Sequence, residues 1–389
     1  MKKLLFVIDT LRMGGAEKSL VSLLKAIDKS KYEIDLLVFE PGGVLAGEVP
    51  SEVNLLSADP VTRAMTLEFR KYAKDLLIRG RLLAFNARLQ MSLKAKNKEE
   101  SKFSWNIVKK YIPALEKKYD TAISYLEGFP AFYVIDKVKA DRKIAWIHID
   151  MTNMEIPAKA VSYYSKFDEI ATISVICKNA FAKHVPMMRD HIHVIENIVF
   201  PDEVLSKAEM PADFSTWQNH PVNLVTIGRL DYQKGIDIAI DACEILVNRG
   251  IDVCWHEYGT GVLKDELQQK INDMKLNDHF ILEGLAVNPY PYMKKADMII
   301  QTSRFEGKSI VLDEAKILGK AIITTGYESV DDQISDRKTG MITMISPESI
   351  ANGIEALLNN SELKAALENN LQKEQVPYQI VLEKIDHIM

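Results

Sequence analysis

Ala296-Asp297-Met298-Ile299-Ile300-Gln301-Thr302-Ser303-Arg304-Phe305-Glu306-Gly307-Lys308-Ser309-Ile310-Val311-Leu312-Asp313-Glu314-Ala315 reads as a buried strand, a loop and the opening of a helix. The apolar run at 296–301 is short, as buried strands are, and the helical pattern at 311–318 closes at Gly319. Glu306 then lies in the loop past the strand's carboxyl end, and Glu314 in the first turns of the helix. Open α/β sheets bind ligands at such strand ends, where a helix N-terminus offers unpaired N–H groups to an anion. Two carboxylates beside an anion site would repel phosphate, so they are expected to face the hydroxyl groups of a sugar or ribose. The stretch therefore reads as α/β, with a site for a phosphorylated sugar or nucleotide.

The cationic half of such a site lies upstream. In Val225-Thr226-Ile227-Gly228-Arg229-Leu230-Asp231-Tyr232-Gln233-Lys234-Gly235 an apolar strand runs into Gly-Arg and then Lys-Gly. The Arg229 guanidinium is a planar fork of donors and Lys234 a flexible point charge, a pairing suited to a diphosphate. Cations at the start of a helix oppose its dipole, which weakens a merely structural reading of the two. Gly228 and Gly235 let the backbone come close. This order continues with Tyr258-Gly259-Thr260-Gly261, Phe305-Glu306-Gly307 and Glu314-Ala315, and is preceded by Met13-Gly14-Gly15-Ala16-Glu17. The whole set resembles the retaining nucleotide-sugar glycosyltransferases of the GT-B fold, family four. The resemblance covers nearly the whole chain and is weakest at about residues 60–118.

The resemblance implies two Rossmann-like parallel-sheet domains facing a central cleft, and a hexosyltransferase reaction (EC 2.4) that retains anomeric configuration. The donor implied is a nucleoside diphosphate sugar, a UDP-sugar first among them, with no cofactor; the acceptor implied is a carbohydrate or a lipid-linked glycan, in bacterial cell-surface polysaccharide or glycolipid synthesis. By the same resemblance Glu306 meets hydroxyls of the transferred sugar, Glu314 the ribose hydroxyls, and His148 reaches the donor sugar. Gly14 and Gly15 carry a loop onto the donor phosphates. Arg229 and Lys234 stabilise the leaving diphosphate as negative charge builds on it. Beside Gly307, the backbone N–H groups of Lys308, Ser309 and Ile310 are placed to cradle a phosphate, with Lys308 as a further cation. Glu283 and Leu285 follow a strand and are candidates for the base pocket. Asn197 reads as a turn residue. No carboxylate is well placed as a covalent nucleophile, so same-face attack through an oxocarbenium-like state is expected.

At 389 residues the chain has room for two domains. Strand-like runs alternate with helical patterns, the signature of parallel sheets covered by helices. They fall at 3–8, 33–38, 121–124, 142–147, 169–173 and 193–195, then at 222–227, 252–258, 280–283, 298–301 and 321–324. Pro201, Pro211 and Pro221 mark a linker at about 200–221. The reading is an acceptor-binding domain at 1–200, a nucleotide-sugar domain at 201–376, and a helix at 377–389 that the resemblance returns to the first domain.

A charge of −5 gives no case for nucleic acid. Cys177, Cys243 and Cys254 have no metal or disulfide spacing, and a cytoplasmic setting fits. The apolar start is cut by Asp9 and reads as a first strand rather than a signal peptide. Residues 62–118 hold 15 Lys and Arg against 5 Asp and Glu, interleaved with apolar residues. That composition makes the segment a candidate for peripheral contact with an anionic membrane at the inner face of the cell membrane. Asp331-Asp332 reads as a surface pair, so no metal is expected and the diphosphate falls to Arg229 and Lys234. Two adjacent glycines do not make a dinucleotide fingerprint, although Glu40 ends the second strand as a ribose acid would. A GT-B epimerase or phosphorylase, or a non-catalytic nucleotide-sugar-binding protein, remain as rival readings.

Overall fold

The structure, a computed structural model, describes all residues except 67–81, 83, 87, 90–104, 153–155, 218–219, 372 and 374–377. It comprises two units, Met1–Ile198 with Gln379–Met389, and Val199–Tyr378. The basic segment at 62–118 lies largely outside the described residues.

The first unit is a seven-stranded parallel sheet ordered β3-β2-β1-β4-β5-β6-β7. Its strands are β1 (Lys2–Ile8), β2 (Tyr32–Val38), β3 (Val53–Ser57), β4 (Lys118–Ser124), β5 (Lys139–Ile147), β6 (Glu169–Thr172) and β7 (Ile192–Val194). Leu4 to Ile8 are all buried in sequence, as expected of a central parallel strand covered on both faces. The last helix, Tyr378–Ile388, buries Val381, Ile385 and Ile388. Lys384 pairs with Glu196 at 2.7 Å, and Thr121 donates to the carbonyl of Met389 at 3.3 Å, tying the chain's end to this sheet.

The second unit is a six-stranded parallel sheet ordered β10-β9-β8-β11-β12-β13. Its strands are β8 (Val222–Ile227), β9 (Val253–Tyr258), β10 (Phe280–Gly284), β11 (Met298–Gln301), β12 (Ile322–Thr325) and β13 (Met341–Thr343). The strand order reverses between β8 and β11, and in the first sheet between β1 and β4.

One stretch departs from the sequence reading. Residues 201–208 are not linker but a helix, Pro201–Ala208, whose Val204 and Ala208 pack into the second core with Met293 and Leu312. Pro201 at the first helical position and Asp202 and Glu203 in the first turn are start signals that outweigh the proline-rich composition.

Candidate active site

The loops after β8 and β11 stand side by side at the carboxyl ends of the strands where the second sheet changes direction, the place at which open α/β sheets bind ligands. Arg304 stitches them together. Its guanidinium bonds both oxygens of Asp237 at 2.9 and 2.6 Å and the Tyr232 carbonyl at 2.8 Å, and lies over the Tyr232 ring. Its backbone N–H donates to the Gln233 carbonyl at 2.8 Å. Gly235, at φ 64, turns the first loop into the helix Ile236–Asn248; a side chain there would strike the Thr302 carbonyl. The backbone of Lys234 is thereby fixed, and Thr302 Oγ1 donates to its carbonyl at 2.9 Å.

This scaffold brings two of the sequence candidates into contact. Lys234 Nζ lies 2.5 Å from Glu306 Oε1, with only 17% and 8% of the two side chains exposed. Ser303 donates to the same Glu306 oxygen at 2.7 Å, Gln233 Nε2 to the other at 3.3 Å, and Ser329 to the Glu306 carbonyl at 2.8 Å. Arg229 is different: 60% of its side chain is exposed, and among the described residues its guanidinium pairs with Asp231 and Gln233 on its own loop. It is the more accessible cation at this end of the sheet.

The other candidates are placed less openly. Glu314 is 1% exposed and accepts from the Tyr290 hydroxyl at 2.9 Å, so a ribose would reach its carboxylate only after a local shift. The N–H of Ser309 is taken by Gln333 at 2.7 Å, and its hydroxyl by Gln301 at 2.6 Å, which removes it from a phosphate cradle. Lys308 is half-buried and Ile310 buried at the start of the helix Ile310–Ile317; Gly307 is buried. Glu283 accepts from Thr216 and bonds His256 Nδ1, each at 2.7 Å, so its carboxylate braces β10 against β9 rather than standing open to a base. Leu285 is 46% exposed at the same strand end.

In the first unit, Gly14 and Gly15 open the helix Gly15–Ala26 after β1, with Thr10 donating to Glu17 at 3.1 Å. Glu40 is paired with Arg12 at 2.7 Å. Asn197 accepts from Ser19 of that helix at 2.8 Å, consistent with a structural role. His148 directly follows β5, beside the Tyr125 ring at 4.9 Å, and its Nε2 is buried without a partner among the described residues. Burial pushes its pKa down to about 3, so the ring is neutral near pH 7 and suited to hydrogen bonding, not to acting as a cation. Asp9, at the end of β1, is pushed up to about 7 by burial and by the neighbouring carboxylates of Glu127 and Glu17. Neither Asp9 nor Glu127 was singled out in the sequence, where each is a lone acid at a strand end.

Sequence reasoning also missed Glu257. It lies in β9 at 1% exposure, with both carboxylate oxygens buried and unpartnered among the described residues. Burial drives its pKa well above the ordinary carboxylate range, opposed only by Lys234. The signal was present: an acid in a strand buried at all six positions. Replacing Glu257 with leucine removes an unsatisfied buried group, so the variant is expected to be more stable by about 1–3 kcal/mol. The sign with pH follows from the raised folded pKa. The acid costs least when it is neutral in both states, below the unfolded carboxylate value, and wild type loses stability as pH rises toward the folded value. The advantage of Glu257→Leu in thermal melts should therefore widen from pH 4 to pH 8, and a variant that melts earlier than wild type throughout would mean that the carboxyl is paired after all.

Residues 213–374 match the family described as glycosyl transferases group 1. The chain is 32% identical over 148 residues to N-acetylgalactosamine-N,N'-diacetylbacillosaminyl-diphospho-undecaprenol 4-alpha-N-acetylgalactosaminyltransferase of Campylobacter jejuni, covering 38% of this chain and 40% of that one. It is 24% identical over 383 residues to that organism's GalNAc-alpha-(1->4)-GalNAc-alpha-(1->3)-diNAcBac-PP-undecaprenol alpha-1,4-N-acetyl-D-galactosaminyltransferase, covering 96% and 93%. The first curated relatives are matched over only 31% and 40% of their own length. Anabaena HepE, solved with UDP and glucose, shares the fold at a TM-score of 0.72 and 15% identity, over 100% of this chain and 99% of that one.

Proposed function

We propose, from the premise that residues 213–374 carry a group 1 glycosyl transferase domain, that this protein moves a sugar from a nucleoside diphosphate sugar to an acceptor hydroxyl with retention of configuration. The observation that carries the proposal is the Lys234–Glu306 pair, held with Arg229 nearby where the second sheet reverses. A cation for the diphosphate and an acceptor for sugar hydroxyls are what glycosyl transfer needs at one spot.

In this reading the arriving diphosphate exchanges partners with the pair. Lys234 turns to the phosphate oxygens, Arg229 folds onto them, and Glu306, still held by Ser303 and Gln233, accepts from the sugar hydroxyls. The two cations then stabilise the charge that builds on the departing diphosphate. No step requires a divalent ion. The acceptor is assigned to the strand ends of the first unit, where Asp9 and Glu127 offer hydrogen-bonding groups to a carbohydrate. HepE was solved with UDP, which favours uridine as the base, and the Campylobacter relatives act on undecaprenol-linked sugars, which favours a lipid-linked glycan as acceptor. A site at the inner face of the cell membrane fits that acceptor.

The test is thermal stability against UDP, GDP and ADP in EDTA, for wild type and Arg229→Ala. A ligand at 100 times its Kd adds about 2.7 kcal/mol, a shift of several degrees. UDP is expected to raise Tm in EDTA, and Arg229→Ala to lose most of that rise while melting normally without ligand. Absence of any nucleotide effect would sink the donor assignment.

A further inference from the structure

At the opposite end of the second sheet, His220, Asp252 and His279 converge. His220 lies two residues before β8, and Asp252 and His279 immediately precede β9 and β10. These three strands are neighbours in the order β10-β9-β8 and run parallel, so their N-terminal ends stand side by side. The three residues stand at the amino ends of these strands, opposite the carboxyl ends from which the loops carrying Lys234 and Glu306 leave.

The imidazoles are arranged as ligands are. His279 Nδ1 lies 2.8 Å from the carbonyl of Val253. A carbonyl only accepts, so Nδ1 carries the proton and Nε2 keeps a lone pair. That outer hydrogen bond, fixing tautomer and ring, is the usual support of a metal-bound histidine. His220 Nδ1 lies 2.5 Å from Asp252 Oδ1, and the two histidine rings are 5.1 Å apart. One ligand atom from each residue falls within 4.8 Å of the others. The main chain behind them is tied down: Trp255 donates to the His279 carbonyl at 2.7 Å and Asn223 to that of His220 at 3.3 Å. Only 13% of the His220 side chain is exposed, whereas Asp252 is 55% exposed and opens the cluster to solvent.

We propose that His220, Asp252 and His279 bind one borderline divalent cation, Zn²⁺ by chemical preference, as a clamp on the entries to three adjacent strands. Two imidazoles and one carboxylate are a zinc-type donor set, with solvent water as the fourth ligand; hard ions such as Mg²⁺ take oxygen donors instead. Tetrahedral zinc bonds of about 2.0–2.2 Å set ligand atoms roughly 3.4 Å apart, so side-chain rotation must open the 2.5 Å His220–Asp252 contact and bring all three ligand atoms, which lie within 4.8 Å of one another, around one point. The clamp adds stability to the second unit and leaves donor binding unchanged, since it sits at the other end of the strands.

The experiment uses the full chain without affinity-tag histidines, stripped with EDTA and freed of it, titrated with Zn²⁺, Co²⁺ and Mg²⁺ by calorimetry and thermal melts, with the visible spectrum recorded for Co²⁺. Expected are one Zn²⁺ per chain, a Tm rise of several degrees, the visible absorption of low-coordinate Co²⁺, and no response to Mg²⁺. His279→Gln and the solvent-exposed Asp252→Asn, each checked for native circular dichroism, should weaken Zn²⁺ at least tenfold. Zn²⁺ binding that is equally tight in both folded variants, a matching response to Mg²⁺, or no saturable binding to wild type overturns the proposal, the last leaving a hydrogen-bonded His–Asp pair and nothing more.

Discussion

Lys234→Met is expected to lower kcat/KM for the nucleotide sugar by about 10²–10³-fold, the usual consequence of deleting one preorganised group from a charge-stabilising site. Methionine keeps the apolar stem that lies along Gly228 and removes only the ammonium. Two effects are then superposed. The diphosphate loses its buried cation, which should weaken nucleoside diphosphate binding at least tenfold. Glu306, only 7% exposed, loses its ion-pair partner and keeps the hydrogen bonds from Ser303 and Gln233. Stranding one member of a buried pair commonly costs about 3–5 kcal/mol, moderated here by the hydrogen bonds that remain on the carboxylate. Lys234→Met/Glu306→Gln separates the two effects, since it removes the stranded charge without restoring the cation. The double variant should regain much of the lost Tm but none of the turnover. Calorimetric binding of UDP and melting curves of the three variants decide the matter, and an unchanged UDP affinity in Lys234→Met would reduce Lys234 to a structural partner of Glu306.

The parts of this fold most legible in the sequence were the apolar strands at the centres of the sheets. β8 and β11 were read with their observed bounds, because central parallel strands are mostly apolar: Leu224 and Val225 in β8, and Met298, Ile299 and Ile300 in β11, are buried. Of the four edge strands, β3 and β13 were not read, whereas β7 and β10 were. β3 buries only its first residue, which leaves no apolar face to mark it; β13 is three residues long, as β7 is, so length alone does not account for its being missed. The meeting of Lys234 with Glu306 followed from chain order, since both leave strand ends of one sheet. The closing of the site did not. That Gln333 takes the Ser309 N–H, that Tyr290 covers Glu314 and that Glu283 braces His256 are side-chain choices between distant elements, which no local pattern records. Glu257 was legible in principle, as a charge where every neighbour along the strand is buried, but reading it required knowing that β9 is central.

Gly259→Ala should be the most damaging single methyl in the second unit. Past the ends of β8 and β9 the two chains remain paired, with Gly228 donating to the Tyr258 carbonyl and Leu230 to the Thr260 carbonyl, each at 3.1 Å. The backbone at Gly259 is pressed so closely to its neighbour that a Cβ would fall 1.6 Å from the carbonyl oxygen of Gly228. No rotamer relieves a clash with main chain. The strand ends must part, breaking those bonds and moving Arg229 and Lys234 away from Glu306. Overpacking of this kind costs about 3 kcal/mol or more, and at about 2–4 °C per kcal/mol for a unit of this size Tm should fall by about 6–12 °C. Gly326→Ala is the control in the same unit, because a Cβ there would meet Ile342 and Thr343 at an ordinary 3.4 Å. Gly259→Ala should also lose UDP-dependent stabilisation more completely than its own melting point explains, since the displaced loop carries both cations. If it melts with Gly326→Ala and keeps its UDP response, the close approach of the two strand ends is wrong, and with it the placement of Lys234 beside Glu306.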